Sequence, residues 1–154
     1  MALYDIIGAI QTKMSEISGI GTVHDYERWA VSWKKFLELY LWTDPDTGEK
    51  SIRGWTLSRR ATTEERETTA SDQTYHQILC RGIMGLDDDA ASEKTFQNLI
   101  EEIREKFRPE LYLTSNAYIE APVEVRIVEV RMAGDVLCHY AELLFRVAER
   151  NLRV

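Results

Sequence analysis

Cysteine and proline are scarce: 154 residues hold only Cys80, Cys138 and three prolines. Two cysteines cannot build a disulfide framework. Both lie in apolar surroundings and read as reduced core thiols of a cytoplasmic product. No run of about 18 apolar residues exists, so a membrane span is excluded. The first residues, MALYDIIGAIQTKM, lack a basic start and a small-residue cleavage site, and no signal peptide is expected. Basic charge is short as well, with 19 Lys and Arg against 26 Asp and Glu and a net charge of −7. A protein that grips DNA usually presents a basic surface to its dense line of phosphates. The chain has no basic run, which disfavours tight DNA binding but not the passage of DNA without sticking.

What the chain does have is 44% hydrophobic residues, spread as one globular unit, 1–154, without repeats or linkers. A chain of this length buries about 68–70% of its unfolded surface. Leu3, Ile6, Ile7, Ile10, Met14 and Ile17 predict an amphipathic helix over 2–18, with Gly19 as its stop. A short extended piece, 23–26, follows. ERWAVSWKKFLELYLW then predicts a helix with Trp29, Trp33, Phe36 and Tyr40 as a core-facing stripe. Pro45, Asp46 and Gly48 mark a turn over 43–50. SIRGWTLSRR and TYHQILCRGIM read as two strands of a hairpin. Between them the polar residues 59–73 are too poor in apolar groups to offset the entropy of ordering and read as a long flexible loop.

Phe96, Leu99, Ile100, Ile103 and Phe107 predict a helix closed by Pro109. In PVEVRIVEVRM the apolar parity shifts between Ile127 and Val128, which predicts a bulge within one strand. Gly134-Asp135 makes a turn. Residues 136–150 fit both a helical and a strand period, and pairing with 123–132 favours the strand. The fold class is α+β: a mixed or antiparallel sheet, helices packed on one face, and a long hairpin loop.

Asp87, Asp88 and Asp89 are the most conspicuous charge cluster. They sit where unpaired N–H groups and the helix dipole welcome carboxylates, so they read as a helix start. DDDAASEKTFQN has neither the alternate ligands nor the glycine and glutamate of a calcium loop. Gly82 and Gly85 hint at a phosphate loop, but no Lys-Ser/Thr follows. His76, Cys80, Cys138 and His139 lack the paired spacing of a structural zinc site. No catalytic, cofactor or metal residues are assigned. Arg53, Trp55, Arg59 and Arg60 form an arginine and aromatic cluster leading into the polar loop, which carries Glu64, Glu65 and Glu67. Arg and Trp are enriched at interface hot spots, so these residues are expected at a subunit contact.

The order of elements is the further clue. A starting helix, HDYERW, a strand RGW, a strand running into GLDDDAASEKTFQNLIEEI and a closing hairpin ending CHYAEL resemble the tail terminator proteins of long-tailed bacteriophages, the lambda gpU-like group. The resemblance spans nearly the whole chain and rests on element order and short phrases. It implies a structural virion protein of the tail and neck, made in the host cytoplasm, with no catalysis and no cofactor. Its partners would be further copies in a hexameric ring, the tail tube protein beneath, and a head-completion or connector protein above. DNA would pass through the lumen without specific binding, and no membrane is involved. Six copies at −7 each would place −42 formal charges around that channel, and acidic walls repel phosphate. The aromatic segment 29–42 is an extra feature relative to a minimal terminator.

Three other roles fit parts of the chain. A neighbouring neck, head–tail connector or tail-completion protein could use similar elements. A metal-dependent hydrolase would use Asp87 to Asp89 with His76, and a small ligand-binding module would need a deep apolar pocket.

Overall fold

Ile6, Ile7, Ile10 and Met14 recur at spacings of three and four, and all are buried. That stripe fixes the inner side of α1, Ala2–Ser15. The chain leaves the helix through Gly19, whose positive φ of 76° suits a residue without a β-carbon. The computed structural model describes residues 2–152, with side chains from 3 to 151. Met1, Arg153 and Val154, the ends of the expected 1–154 domain, lie outside the described residues.

The elements that follow are β1 Thr22–His24, α2 Trp33–Tyr40, β2 Leu41–Thr43, β3 Lys50–Arg66, β4 Ser71–Gly85, α3 Ser92–Lys106, β5 Ala117–Ile119, β6 Glu124–Ala133 and β7 Val136–Leu152. The seven strands form one mixed sheet in which β3, β4 and β7 are successive antiparallel neighbours. β1 pairs in parallel with β3 and β2 pairs antiparallel with its first residues. On the far side, β5 and β6 share the outer edge of β7. The expected α+β class holds, but the helices are not all on one face as expected: α2 packs on the face opposite α1 and α3.

The layer of helices on one face is made by α1 and α3. Their apolar stripes meet Trp55, Leu57, Ile78, Cys80, Met84, Leu143, Phe145 and Val147 of the sheet in one large core. Successive strand residues point to opposite faces. Cys138 accordingly belongs to a second, smaller cluster with Leu39, Tyr40 and Ile52, packed by α2 on the other face. Two glycines make room for aromatic rings. A β-carbon on Gly82 would lie 2.2 Å from Trp55 Cζ3, and one on Gly54 would lie 2.5 Å from Tyr40 Cδ1. Trp55 is paired directly opposite Gly82, so the indole lies flat across the neighbouring strand.

Three further expectations are corrected. First, the flexible loop over 59–73 does not exist as a loop. β3 continues to Arg66, β4 begins at Ser71, and residues 67–70 alone turn the chain. Arg66 pairs with Asp72 and Glu64 with Thr74, and β4 is held on its other side by β7 from Ser71 onward. Backbone hydrogen bonds to a strand fixed on both sides order this polar segment, and its β-branched threonines favour the pleat. Composition missed this because it counts only side-chain burial. The turn closes with Glu67 N and Thr68 N both donating to Ser71 O at 3.1 Å.

Second, the helix expected over 27–42 is short. It begins at Trp33, with Ser32 Oγ accepting from Lys35 N at 3.2 Å, and ends at Tyr40, where Leu41 turns into β2. Third, Trp29 and Trp33 are not on a core stripe: they are 77% and 41% exposed. The chain before the helix is tied to the sheet, because Glu27 takes ion pairs from Arg60 and Arg81.

The later elements follow the sequence. Phe96, Leu99, Ile100, Ile103 and Phe107 are buried. β6 carries its register shift between Val125 and Ile127, which makes Arg126 the extra residue. Gly134, at φ 61°, turns β6 into β7, and 136–152 is strand.

Candidate interaction surface

The residues expected at a subunit contact divide between the interior and an exposed arm. Trp55 is 1% exposed. Its Nε1 donates to Ile20 O at 2.8 Å, and its ring stacks on Phe96 with centroids 5.7 Å apart. It is a core residue, and its expected place at an interface is corrected: the slot over Gly82 draws it inward. Arg53, on the same face, is half-buried. Its Nη1 donates to Gly19 O at 2.9 Å, and its guanidinium lies 4.5 Å from the centre of the Trp42 ring. Burial lowers its pKa, partly offset by Asp44. Arg53 therefore pins the end of α1 and β2 to β3.

Arg60 is displaced from regular pairing by a register shift between Arg59 and Ala61. A bulge re-aims a side chain, and here the guanidinium meets Glu27. Arg59, Glu64 and Glu65 are exposed along the β3–β4 arm. Glu67 receives a hydrogen bond from Arg150 at 3.1 Å. The arm thus presents Arg59, Glu64 and Glu65 to solvent, with its base and turn locked by ion pairs.

The aspartates precede α3, though none is its cap. Ala91 holds that position in the left-handed region at φ 54°, without a side-chain hydrogen bond. Asp87 Oδ1 accepts from Ala90 N at 3.3 Å, while Asp88 and Asp89 are exposed. Asp87 N donates to Ser92 Oγ at 2.8 Å, and the same hydroxyl lies 2.8 Å from His139 Nε2. His139 stacks on Phe96, and burial lowers its pKa against the pull of Glu93. Burial likewise raises the thiol pKa values of Cys80 and Cys138. His76 is buried, with Nδ1 3.0 Å from Thr62 Oγ1 and Nε2 3.7 Å from the Glu149 carboxylate. Among the described residues, no three His, Cys, Asp or Glu side chains converge as a metal site.

One surface was hidden from the sequence by the longer helix expected there. Residues 25–32 run as a loop that exposes Tyr26, Trp29 and Val31. Beside it is an open cleft of about 270 Å³, lined by Glu27, Trp29, Phe36, Tyr40, Arg81 and Tyr140 among others. Exposed Trp and Tyr next to paired Arg and Glu is hot-spot chemistry. The signal was present in HDYERWAVSW, whose aromatic and charged residues are interleaved. Helical spacing alone assigned them to the core.

No protein-family model matches the chain, and no curated protein matches its sequence.

Proposed function

We propose that this protein is a structural tail terminator of a tailed bacteriophage: copies form a ring that caps the tail tube, stops its polymerisation and joins the tail to the head connector. A ring closes through heterologous contacts, in which one patch on a subunit meets a different patch on the next. What supports the reading is the presence of two such patches on one chain. The outer half of β3 and the turn after it, residues 59–70, are exposed, while β4 beside them is paired with β7 out to Ser71. The turn lies several strand residues, roughly 20 Å, beyond the Arg60–Glu27 pair. The second patch is the Trp29 loop with its cleft. The exposed edge of β3 in one subunit, set against the cleft of the next, would carry Glu64 and Glu65 toward Arg28. The single observation that carries the proposal is this polar, solvent-exposed edge of β3, residues 59–66, which no strand covers on its outer side among the described residues.

Microscopy of particles assembled without the protein tests it. Overlong tails are expected. Tails of normal length that fail to join heads would instead place the protein in the neighbouring connector role.

A further inference from the structure

β6 leaves the sheet with an open margin. It pairs with β7 along Glu124–Ala133, and among the described residues no strand lies on its other side. An edge of this kind is a row of unpaired backbone donors and acceptors, usually protected by brevity, by proline or by inward charge. β6 has ten residues and no proline. The bulge at Arg126 lies at the start of the strand, leaving Ile127 to Ala133 regular. On the face shared with α3, Val128, Val130 and Met132 stand in file, 39%, 50% and 59% exposed. Leu137 of β7, paired with Met132, is 48% exposed and widens the strip. On the opposite face are Glu129 and Arg131, ion-paired with each other, with the Arg131 guanidinium over the Tyr140 ring.

We propose that β6 pairs antiparallel with β6 of a second copy of this chain in solution, about a two-fold axis through Val130, so that two sheets become one. The axis stands perpendicular to the sheet, so residues of like parity meet and each face continues across the junction. The side chains choose the register. Centred on Glu129 or on Arg131, the pairing sets like charges against each other. Centred on Val128 or on Met132, it brings neither charge opposite its complement. Centred on Val130, Glu129 of each copy faces Arg131 of the other, Val130 meets Val130, and Val128 meets Met132. Opposite charges and apolar pairs directly across a ladder are the favourable cross-strand combinations. The same pairing covers the exposed strip and satisfies the open edge.

A polar partner strand, such as the outer edge of β3 beyond Leu57, would cover the valines with threonines and charges. The observed pattern is complementary to itself. The contact is isologous and closes on itself, so it goes beyond the ring reading and does not depend on it: the ring needs different surfaces, and either can fail alone.

The experiment is sedimentation or native mass measurement on the full chain across a micromolar concentration series. The expected result is a monomer–dimer equilibrium. Glu129→Arg and Arg131→Glu, each alone, should weaken it at least about tenfold, by setting like charges across the junction. The double variant Glu129→Arg/Arg131→Glu, which restores the complement in this register alone, should recover it. Val130→Lys, which brings two ammonium groups together on the axis, should abolish it. All three positions are exposed on an edge strand, and thermal melts confirm that the variants remain folded. A monomer at every concentration overturns the proposal. So does a dimer or ring indifferent to the single reversals, or a double variant that fails to recover.

Discussion

Trp29 and Trp55 show how little a residue type says about its place. Both are tryptophans beside arginine, yet Trp29 faces solvent and Trp55 is the largest fully buried side chain. Trp55 fills the slot left by Gly82, donates to Ile20 O and begins a stack that continues through Phe96 to His139. Removing it deletes a large apolar surface and leaves a cavity, while Ile20 O loses its donor. Trp55→Ala should therefore cost about 3–5 kcal/mol, whereas Trp29→Ala should change stability by no more than about 0.5 kcal/mol. Denaturant midpoints of the two variants measure the difference, and equal losses would contradict the assignment. Nothing in RGWTLSRR distinguishes a buried Trp from an interface anchor. The distinction comes from a glycine 27 positions later in the chain that happens to be its cross-strand partner.

At the scale of elements, the β3–β4 arm has an asymmetric ladder. From Leu57 to Arg66 one edge of β3 bonds to β4, and the other has no partner strand among the described residues. Amide exchange in the isolated protein should alternate along this stretch. N–H groups that face β4 should be protected, and their neighbours should exchange as fast as solvent-exposed amides. Uniform fast exchange would restore the flexible loop expected from composition. Uniform protection would mean that the outer edge is covered. The same reasoning explains which elements could be read in advance. α1, α3 and the β6–β7 hairpin carry their own signals, namely a helical period, a parity shift and a Gly-Asp turn. The arm carries none, because its order comes from β4, which is itself fixed by β7.

For the molecule as a whole, charge is the property most closely tied to the proposed role. Acidic residues exceed basic ones by seven, and several arginines are already committed: Arg60 and Arg81 to Glu27, Arg150 to Glu67, Arg131 to Glu129. Cations paired in this way have little left to offer a phosphate. The purified protein should leave double-stranded DNA unshifted in a mobility assay at about 0.15 M salt, where exposed charges are screened beyond roughly 8 Å. The variant Glu64→Lys/Glu65→Lys should gain weak binding that salt removes, because the arm would then neutralise phosphates and release counterions. Tight binding by the unaltered protein would count against a channel that lets DNA through.

The sequence by itself determined the α+β class, the inner faces of α1 and α3, the bulge in β6 and the turn into β7. Each of these is written within a few consecutive residues as a period, a parity change or a permissive backbone position. Only the tertiary structure decided that residues 59–66 are strand, that Trp55 is core and Trp29 surface, and that β6 ends the sheet. These are questions of which strand lies beside which, and a local pattern carries no record of its neighbour across the ladder.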